Sequence, residues 1–404
     1  MKVGAVTLLL WLALSEASAQ ETPLQQTPQV GYDNGFYMRS QDGAHELKIG
    51  GLFIVRGRAY SGDVTDRANE VDLPLSRLEL SGKLDKRFVF LFEPRFGVSN
   101  ASLDEAWVGY ELAPNWTLRA GRLKVPYSQD EWQPRRFRDT IQKSLFNSFG
   151  VGDDNGVGTY FGSRWTPWQG GVAVVGGSGS SELDDGKELA ARVVHRPWLE
   201  TGGLFEGLHL GASATFVNGE QDLSERELTN EAAVPYATYS ADARLDGSRT
   251  RAGLEFGWMY ARHELHGEWT MARADLETDA QADTANVTGY TVTYSHMLTQ
   301  HKKSFFGFTK DSPLATEPGL GAWQLVAHWS RIELDEGFQG SGVLTANSDP
   351  GSVQSFDLGV NWWSSAHSVL RMHAIHTLYE QPVTYAGDEL SDEQALLVSW
   401  QLHF

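Results

Sequence analysis

Arg135, Arg136 and Arg138 form the densest basic cluster in the chain, and Lys124 and Lys143 lie in the same stretch. A guanidinium presents paired donors in a fixed fork, which a carboxylate or a phosphate accepts. The chemistry on offer is reversible handling of small anions. Asp130, Glu131, Asp139, Asp153 and Asp154 share the stretch, so the alternative is that the arginines pair locally and only fix the backbone. A second basic set emerges from parity. Lys48, Arg56 and Arg58 are separated by even numbers of residues, as are Arg77, Glu79 and Lys83. On a strand each group would share one face. Leu47, Ile49, Phe53 and Val55 would lie opposite the first group, and Leu78, Leu80 and Leu84 opposite the second.

Other chemistries find little support. His263 and His266 are three apart, as are His373 and His376. Odd spacing puts such residues on opposite faces of a strand, so neither pair makes a chelate, and we expect no metal and no cofactor. There is no Gly-x-Ser-x-Gly, no His-Glu-x-x-His and no phosphate-binding glycine loop. A Ser–His–acid set assembled across strands stays open as the enzymatic alternative. The chain has no cysteine, which excludes disulfides and thiolate metal sites. With 33 basic and 52 acidic residues its formal charge is −19, the wrong sign for a general nucleic-acid binder.

These side chains must be positioned by strands. Lys2, the apolar run Val3–Leu14 and the small residues Ala17-Ser18-Ala19 make 1–19 a bacterial-type signal peptide. Val3–Leu14 is too short to span a membrane as a helix. Beyond it, apolar and polar residues alternate over about 10 positions at a time between Gly, Asp, Asn and Pro clusters. Leu254, Phe256, Trp258 and Tyr260 against Glu255, Gly257 and Met259 are typical. Such lengths suit tilted membrane strands, with Trp and Tyr toward the ends of the apolar face and Glu, His, Arg and Gln on the other.

Candidate strands fall near 45–60, 71–84, 87–96, 102–113, 115–122, 156–165, 169–177 and 187–196. Eight more fall near 207–217, 250–260, 263–273, 286–299, 320–333, 353–364, 367–379 and 394–404. About sixteen is an even number, as a closed antiparallel transmembrane barrel with an aqueous lumen requires. The fold expected is therefore an all-β membrane barrel over 45–404, preceded by a periplasmic segment, 20–44. Leu84–Arg87, Ala113–Asn115, Ala261–His263 and Ser364–His367 read as periplasmic turns. Leu123–Asn155, Asn218–Arg249, Gln300–Gly319 and Gln381–Glu393 read as long outer loops. Much of the acidity is expected in loops: Asp63, Asp66, Glu70 and Asp72; Glu182, Asp184, Asp185 and Glu188; Glu220, Asp222, Glu225, Glu227 and Glu231; Asp275, Glu277, Asp279 and Asp283; Asp388, Glu389, Asp392 and Glu393. The net charge thus describes mainly the rims, and no loop shows the ligand spacing of a calcium site.

Leu47–Gly51, Arg77–Gly82, Leu103–Tyr110, Arg119–Tyr127, Asp154–Gly158, Gly321–Leu325, Leu358–Trp363 and the terminal Phe404 follow one another in a set order along the chain. In that order and spacing they resemble the phosphate-selective porins O and P of Gram-negative outer membranes. The resemblance implies a sixteen-stranded, usually trimeric outer-membrane barrel, narrowed by an inward-folded third loop and passing anions passively. It makes Leu123–Asn155 the constriction loop, with Lys124, Arg135, Arg136, Arg138 and Lys143 guiding anions. It also makes Asp104 a pore carboxylate and Phe404 the signal read by the barrel-assembly machinery. Partners implied are outer-membrane lipid, lipopolysaccharide, small solutes and two further copies of the chain. On a barrel, Lys48, Arg56, Arg58, Arg77 and Lys83 would form a lumen-facing basic stripe.

The chain also departs from that family. Where adjacent arginines are expected before Arg77 it has Pro74-Leu75-Ser76, and Asn218–Ser248 is acidic, with Arg226 and Arg244 isolated. The fold carries over and phosphate selectivity does not. The expected function is a porin for small, phosphate-like anions. The alternatives are a weakly selective or cation-preferring pore, and a surface binding or structural barrel.

Overall fold

The computed structural model describes residues 28–404 except 62–68, 98–100, 164, 177–185, 225, 306, 309–311, 313, 315–318, 346–348 and 386–387. The signal segment 1–19 and Asp63, Asp66, Glu182, Asp184, Asp185 and Glu225 lie outside the described residues.

Strands dominate. The first run is β1 (Gln29–Tyr32), β2 (Phe36–Arg39), β3 (Glu46–Ser61), β4 (Glu70–Leu84), β5 (Phe88–Phe96), β6 (Ala101–Ala113) and β7 (Trp116–Lys124). Next come β8 (Asp153–Gly162), β9 (Trp168–Val175), β10 (Glu188–His195), β11 (His209–Asp222), β12 (Glu227–Thr229) and β13 (Pro235–Thr238). The last are β14 (Arg244–Tyr260), β15 (His263–Glu277), β16 (Ala282–Met297), β17 (Ala322–Leu334), β18 (Ser352–Ser365), β19 (Ser368–Tyr385) and β20 (Asp388–His403). β3–β11 and β14–β20 are sixteen antiparallel strands, and the pairing of β20 with β3 closes the barrel. Closure leaves no sheet edge in lipid, where an unpaired backbone group is costly. β1 and β2 form a hairpin from the segment expected to be periplasmic, and β2 pairs with β3 over Glu46–Ile49, beyond the end of β20.

All sixteen barrel strands fall where alternation placed them, and two loop assignments change; several acids expected in loops, among them Glu70, Asp72, Glu188, Asp222, Asp275, Glu277, Asp392 and Glu393, lie instead on strands that run on past the alternating stretch. Gln381–Glu393 is strand on both sides of a tight turn, with Val383 opposite Leu390 and Thr377 opposite Glu393. Above the membrane both faces of a strand meet polar surroundings, so alternation fades there while the ladder continues. The segment between β16 and β17, which holds Gln300–Gly319, emerges at the end of the barrel where the short turns 85–87, 114–115, 261–262 and 366–367 lie. Trp116, Trp168, Tyr260, Trp323 and Trp400 are exposed near that end, as an interfacial aromatic girdle requires.

Three segments fold into the lumen. The loop 125–152 carries a short helix α1 (Gln129–Trp132) and two 3-10 turns, Arg135–Phe137 and Leu145–Phe149. Wall side chains hold it by its backbone. Arg371 donates to the Arg138 carbonyl (2.9 Å), Asn361 to Asp139 (3.0 Å), Gln401 to Arg136 (2.9 Å) and Arg251 to Phe149 (2.8 Å). Second, the hairpin β12–β13 dips in from the same end. At its tip Asn230 donates to Tyr379 (2.9 Å) and Glu393 (3.1 Å), and Glu231 accepts from Ser330 (2.5 Å) and meets His328 (3.0 Å). Third, the 298–321 segment enters from the turn end, where the Phe305 carbonyl accepts from Gln133 (3.3 Å).

The extracellular half of the lumen therefore has an apolar core. Tyr127, Phe146, Leu228, Tyr236 and Phe338 pack on inward-facing Leu245, Leu276, Val287, Ile332 and Val353. The sequence alternation suggested a polar lumen throughout. The difference arises because inward side chains in this half meet folded-in chain instead of water.

Candidate pore constriction

The loop 125–152 leans on β14–β20 and leaves open the side facing β3–β8. The gap is a cavity of about 590 Å³. Arg135, Arg136, Arg138 and Lys143 reach it from the loop, and Lys48, Arg77, Arg95, Arg122 and Lys124 from the wall. Its acids are Glu79, Glu93, Asp104, Glu105, Glu131 and Asp153. Nine basic against six acidic side chains leave a surplus of three positive charges, in a chain whose total is −19.

Local strand irregularities place the wall residues. Between β3 and β4 the register shifts past Ile54 and Leu75, with Pro74 inside the bulge; a residue without an N–H suits that position. The shift puts Arg77 and Glu79 on the lumen side together with Asp72. Between β5 and β6 the register shifts past Phe92 and Pro94, with the extra residue on β6. Asp104 and Glu105, though adjacent, both line the cavity as a result. Asp104 is buried and accepts from Arg77 (3.1 Å) and Arg95. Arg77 also reaches Glu79 (2.6 Å) and Glu93 (3.0 Å). Arg136 bridges from the loop to Glu79.

The anticipated basic residues separate into distinct roles. Arg138 is buried and donates to the Asp130 carbonyl (2.6 Å), with the Asp130 carboxylate 3.5 Å away. Lys143 pairs with Glu131 at 2.5 Å, and Lys124 stands 4.0 Å from Glu105. Arg135, by contrast, has no ion pair or side-chain hydrogen bond among the described residues. Burial, then Arg138 and Arg95, push its guanidinium down to about 10, so it stays charged at neutral pH. Of the stripe, Lys48 and Arg77 line the cavity. Arg56 (2.7 Å) and Arg58 (2.8 Å) bind Asp72 nearer the extracellular rim, and Lys83 binds Glu111 (2.8 Å) near the turn end. The stripe thus runs the height of the wall, and only its middle enters the constriction.

Sequence reasoning missed Arg95, Arg122 and Lys303. Arg95 was legible, since it shares parity with Glu93 opposite the outward Phe88, Phe90 and Phe92. Arg122 donates through Nε to the carbonyls of Leu103 (2.9 Å) and Asp104 (3.0 Å), where β6 and β7 cease to pair. No periodicity announces such a gap. Lys303 ties the 298–321 segment to the constriction loop through Asp139 (2.5 Å), and it reaches Glu264 at 3.2 Å. Burial opposes ionisation of Asp139, but the Lys303 ammonium outweighs it and holds the carboxyl below the ordinary range. Burial likewise opposes the charge on Lys303, and Asp139 and Glu264 together raise it.

The chain terminus completes the seam. Phe404 exchanges backbone hydrogen bonds with Gly51 (3.1 and 3.0 Å), and its ring lies against that glycine and stacks on Phe53. The histidine pairs split between faces, as with buried His373 on Asp357 and exposed His376 on Asp392.

A barrel whose third loop narrows its lumen between charged walls fits the family suggested by the sequence motifs. The profile of the family described as "Phosphate-selective porin O and P" matches residues 54–404. The chain belongs to this family. Among solved structures, OmpT of Vibrio cholerae, an outer-membrane-expressed protein, is similar with a TM-score of 0.57 at 8% identity. That match covers 89% of this chain and 98% of OmpT. The outer membrane channel DcaP of Acinetobacter baumannii gives 0.53 at 10% identity, over 91% of this chain and 99% of DcaP. Pseudomonas putida OprB gives 0.51 at 10% identity, over 90% of this chain and 95% of OprB. At such identities the likeness is one of fold. A search of the curated proteins returned no match. As a member of that family the chain is an outer-membrane porin and not an enzyme.

Proposed function

We propose that the protein is a passive channel that favours small anions entering the periplasm. One observation carries this reading: the cavity beside the constriction loop is lined by nine basic and six acidic side chains. In a narrow, low-dielectric neck a few fixed charges outweigh a distant rim, which water and salt screen. Arg135 is the loop guanidinium that no protein acid pairs with directly among the described residues, so a passing anion is its natural partner. Paired neighbours such as Arg77 and Arg136 shape the neck and contribute less net field.

The same reading takes 1–19 as the export signal, 20–44 as periplasmic, and Phe404 as the mark recognised by the assembly machinery. Lipid and lipopolysaccharide surround the barrel. The working unit is a homotrimer, in line with the trimer form recorded for Vibrio cholerae OmpT. The test is a reversal-potential measurement in a planar bilayer under a KCl gradient. A potential set by Cl⁻ is expected, and one set by K⁺ would overturn anion preference while leaving the channel intact.

A further inference from the structure

His263 and His266 face opposite sides of the wall, but the strand ladder gives His263 another neighbour. On the antiparallel pair β15–β16 it stands directly opposite His296. One step beyond, Met297 donates its N–H to the Arg262 carbonyl (2.9 Å). Hydrogen-bonded and non-hydrogen-bonded pairs alternate along such a ladder. His263 and His296 are therefore a non-hydrogen-bonded pair, the type whose Cα atoms are about 4.5 Å apart and whose side chains are closest. His296 shares its parity with the exposed Tyr290, Val292 and Tyr294, so the pair faces outward, at the level of the interfacial aromatics beside Tyr260.

The two Nδ1 atoms are 3.3 Å apart. Two metal–nitrogen bonds of about 2.0–2.1 Å that meet at a tetrahedral angle span about 3.3–3.4 Å. Ligands at a right angle, as in a square plane, would stand about 2.9 Å apart. His263 Nδ1 also has more partners than it can serve. It lies 2.7 Å from the Tyr294 hydroxyl as well as 3.3 Å from His296 Nδ1, and one imidazole nitrogen offers either one proton or one lone pair. A cation that takes both Nδ1 lone pairs resolves this conflict and leaves each Nε2 protonated toward headgroup water. Arg262, next to His263, is turned to the Leu298 carbonyl (3.4 Å). Among the described residues no group of three or more His, Cys, Asp or Glu side chains is placed to hold a metal, so water completes the shell.

We infer that His263 and His296 form a two-imidazole zinc site at the turn end of β15 and β16. Imidazole nitrogens suit this ion, and the observed spacing suits its tetrahedral geometry. The site lies one residue before the end of β16 at Met297, where the chain leaves the wall to form the 298–321 segment. A metal there ties the root of that segment to β15.

Isothermal titration with Zn²⁺ tests this on the detergent-solubilised barrel, prepared without a histidine tag. One site per chain is expected, with Kd about 10 µM, the scale set by two of the four ligands of a structural zinc site. His263→Gln and His296→Gln, each checked for a folded barrel by heat-modifiable gel mobility, should raise Kd about tenfold or more. His376→Gln, which changes an exposed histidine on Asp392, should leave it unchanged. No binding by the parent at about 1 mM Zn²⁺, or binding that survives intact in both pair variants, would overturn the site. Zn²⁺ should also slow proteolysis within 298–321 in the parent and not in His296→Gln. Equal rates in the parent with and without Zn²⁺ would overturn the bracing role.

Discussion

Arg135→Gln should reduce anion preference with less disturbance of the constriction loop than any other single neutralisation there. Arg136 is committed to Glu79, Arg138 to Asp130 and Lys143 to Glu131; neutralising any of these uncovers an acid and disturbs the loop as well as the field. Arg135 has no such partner among the described residues, so its removal takes one unit from the surplus of three positive charges around the cavity. A unit charge about 4 Å from an ion in water is worth about 1 kcal/mol, a factor of about five at 25 °C. Anion entry falls and cation entry rises by that factor, so the permeability ratio shifts by up to about 25-fold. At 0.1 M salt the Debye length is about 10 Å, long enough for the charge to be felt across the neck. Reversal potentials of parent, Arg135→Gln and the charge-conserving Arg135→Lys, recorded in one KCl gradient, give the ratio directly. A shift under about twofold in Arg135→Gln would show that the surplus positive charge does not set selectivity.

Two further outcomes follow from the lumen contacts. Lys303→Met strips Asp139 and Glu264 of their counter-charge, and breaking a buried pair costs about 3–5 kcal/mol; a lower urea midpoint and noisier open-channel current are expected. In the parent protein Asp139 is held below the ordinary aspartate range and Lys303 above the ordinary lysine range. The stabilisation from the pair is therefore full near neutral pH. It is lost as pH falls below the ordinary aspartate range through the depressed Asp139 value, or rises above the ordinary lysine range through the elevated Lys303 value. Urea midpoints across pH should differ between parent and Lys303→Met inside that window and converge outside it. Asn230→Ala removes the hairpin tip's bonds to Tyr379 and Glu393 and its turn-fixing acceptor for Ala232 and Val234. About 2–4 kcal/mol of hairpin anchoring should go, seen as faster proteolysis within 226–239 while the barrel strands stay protected.

The wall was legible because lipid outside and water inside impose a period of two, which Leu254, Phe256 and Trp258 obey without exception. The constriction loop was legible from composition, since Arg135-Arg136-Phe137-Arg138 has no place on a lipid-facing strand. What separates Arg135 from Arg138 is tertiary, namely the turn that buries Arg138 against Asp130 and leaves Arg135 in the gap. The inward hairpin was hidden because Leu228, Val234 and Tyr236 sit in an acidic stretch and find their partners on strands more than a hundred residues away, at Ile375 and Tyr379. Asp104 and Glu105 show the same limit on a smaller scale. Strict alternation would send one of them into lipid, and a single bulge keeps both wet.

The two ends of the lumen are stapled to each other inside the wall. Residues 125–152 arrive from one side and 298–321 from the other, and they meet through Lys303 with Asp139 and through Phe305 with Gln133. Neither segment can withdraw without breaking the buried pair of Lys303 with Asp139 and the bond of Gln133 to Phe305. Each segment is therefore a latch on the other, although each enters through its own open end of the barrel. Such a molecule should lose its plug as one cooperative unit, because freeing either segment strands a buried charge on the other.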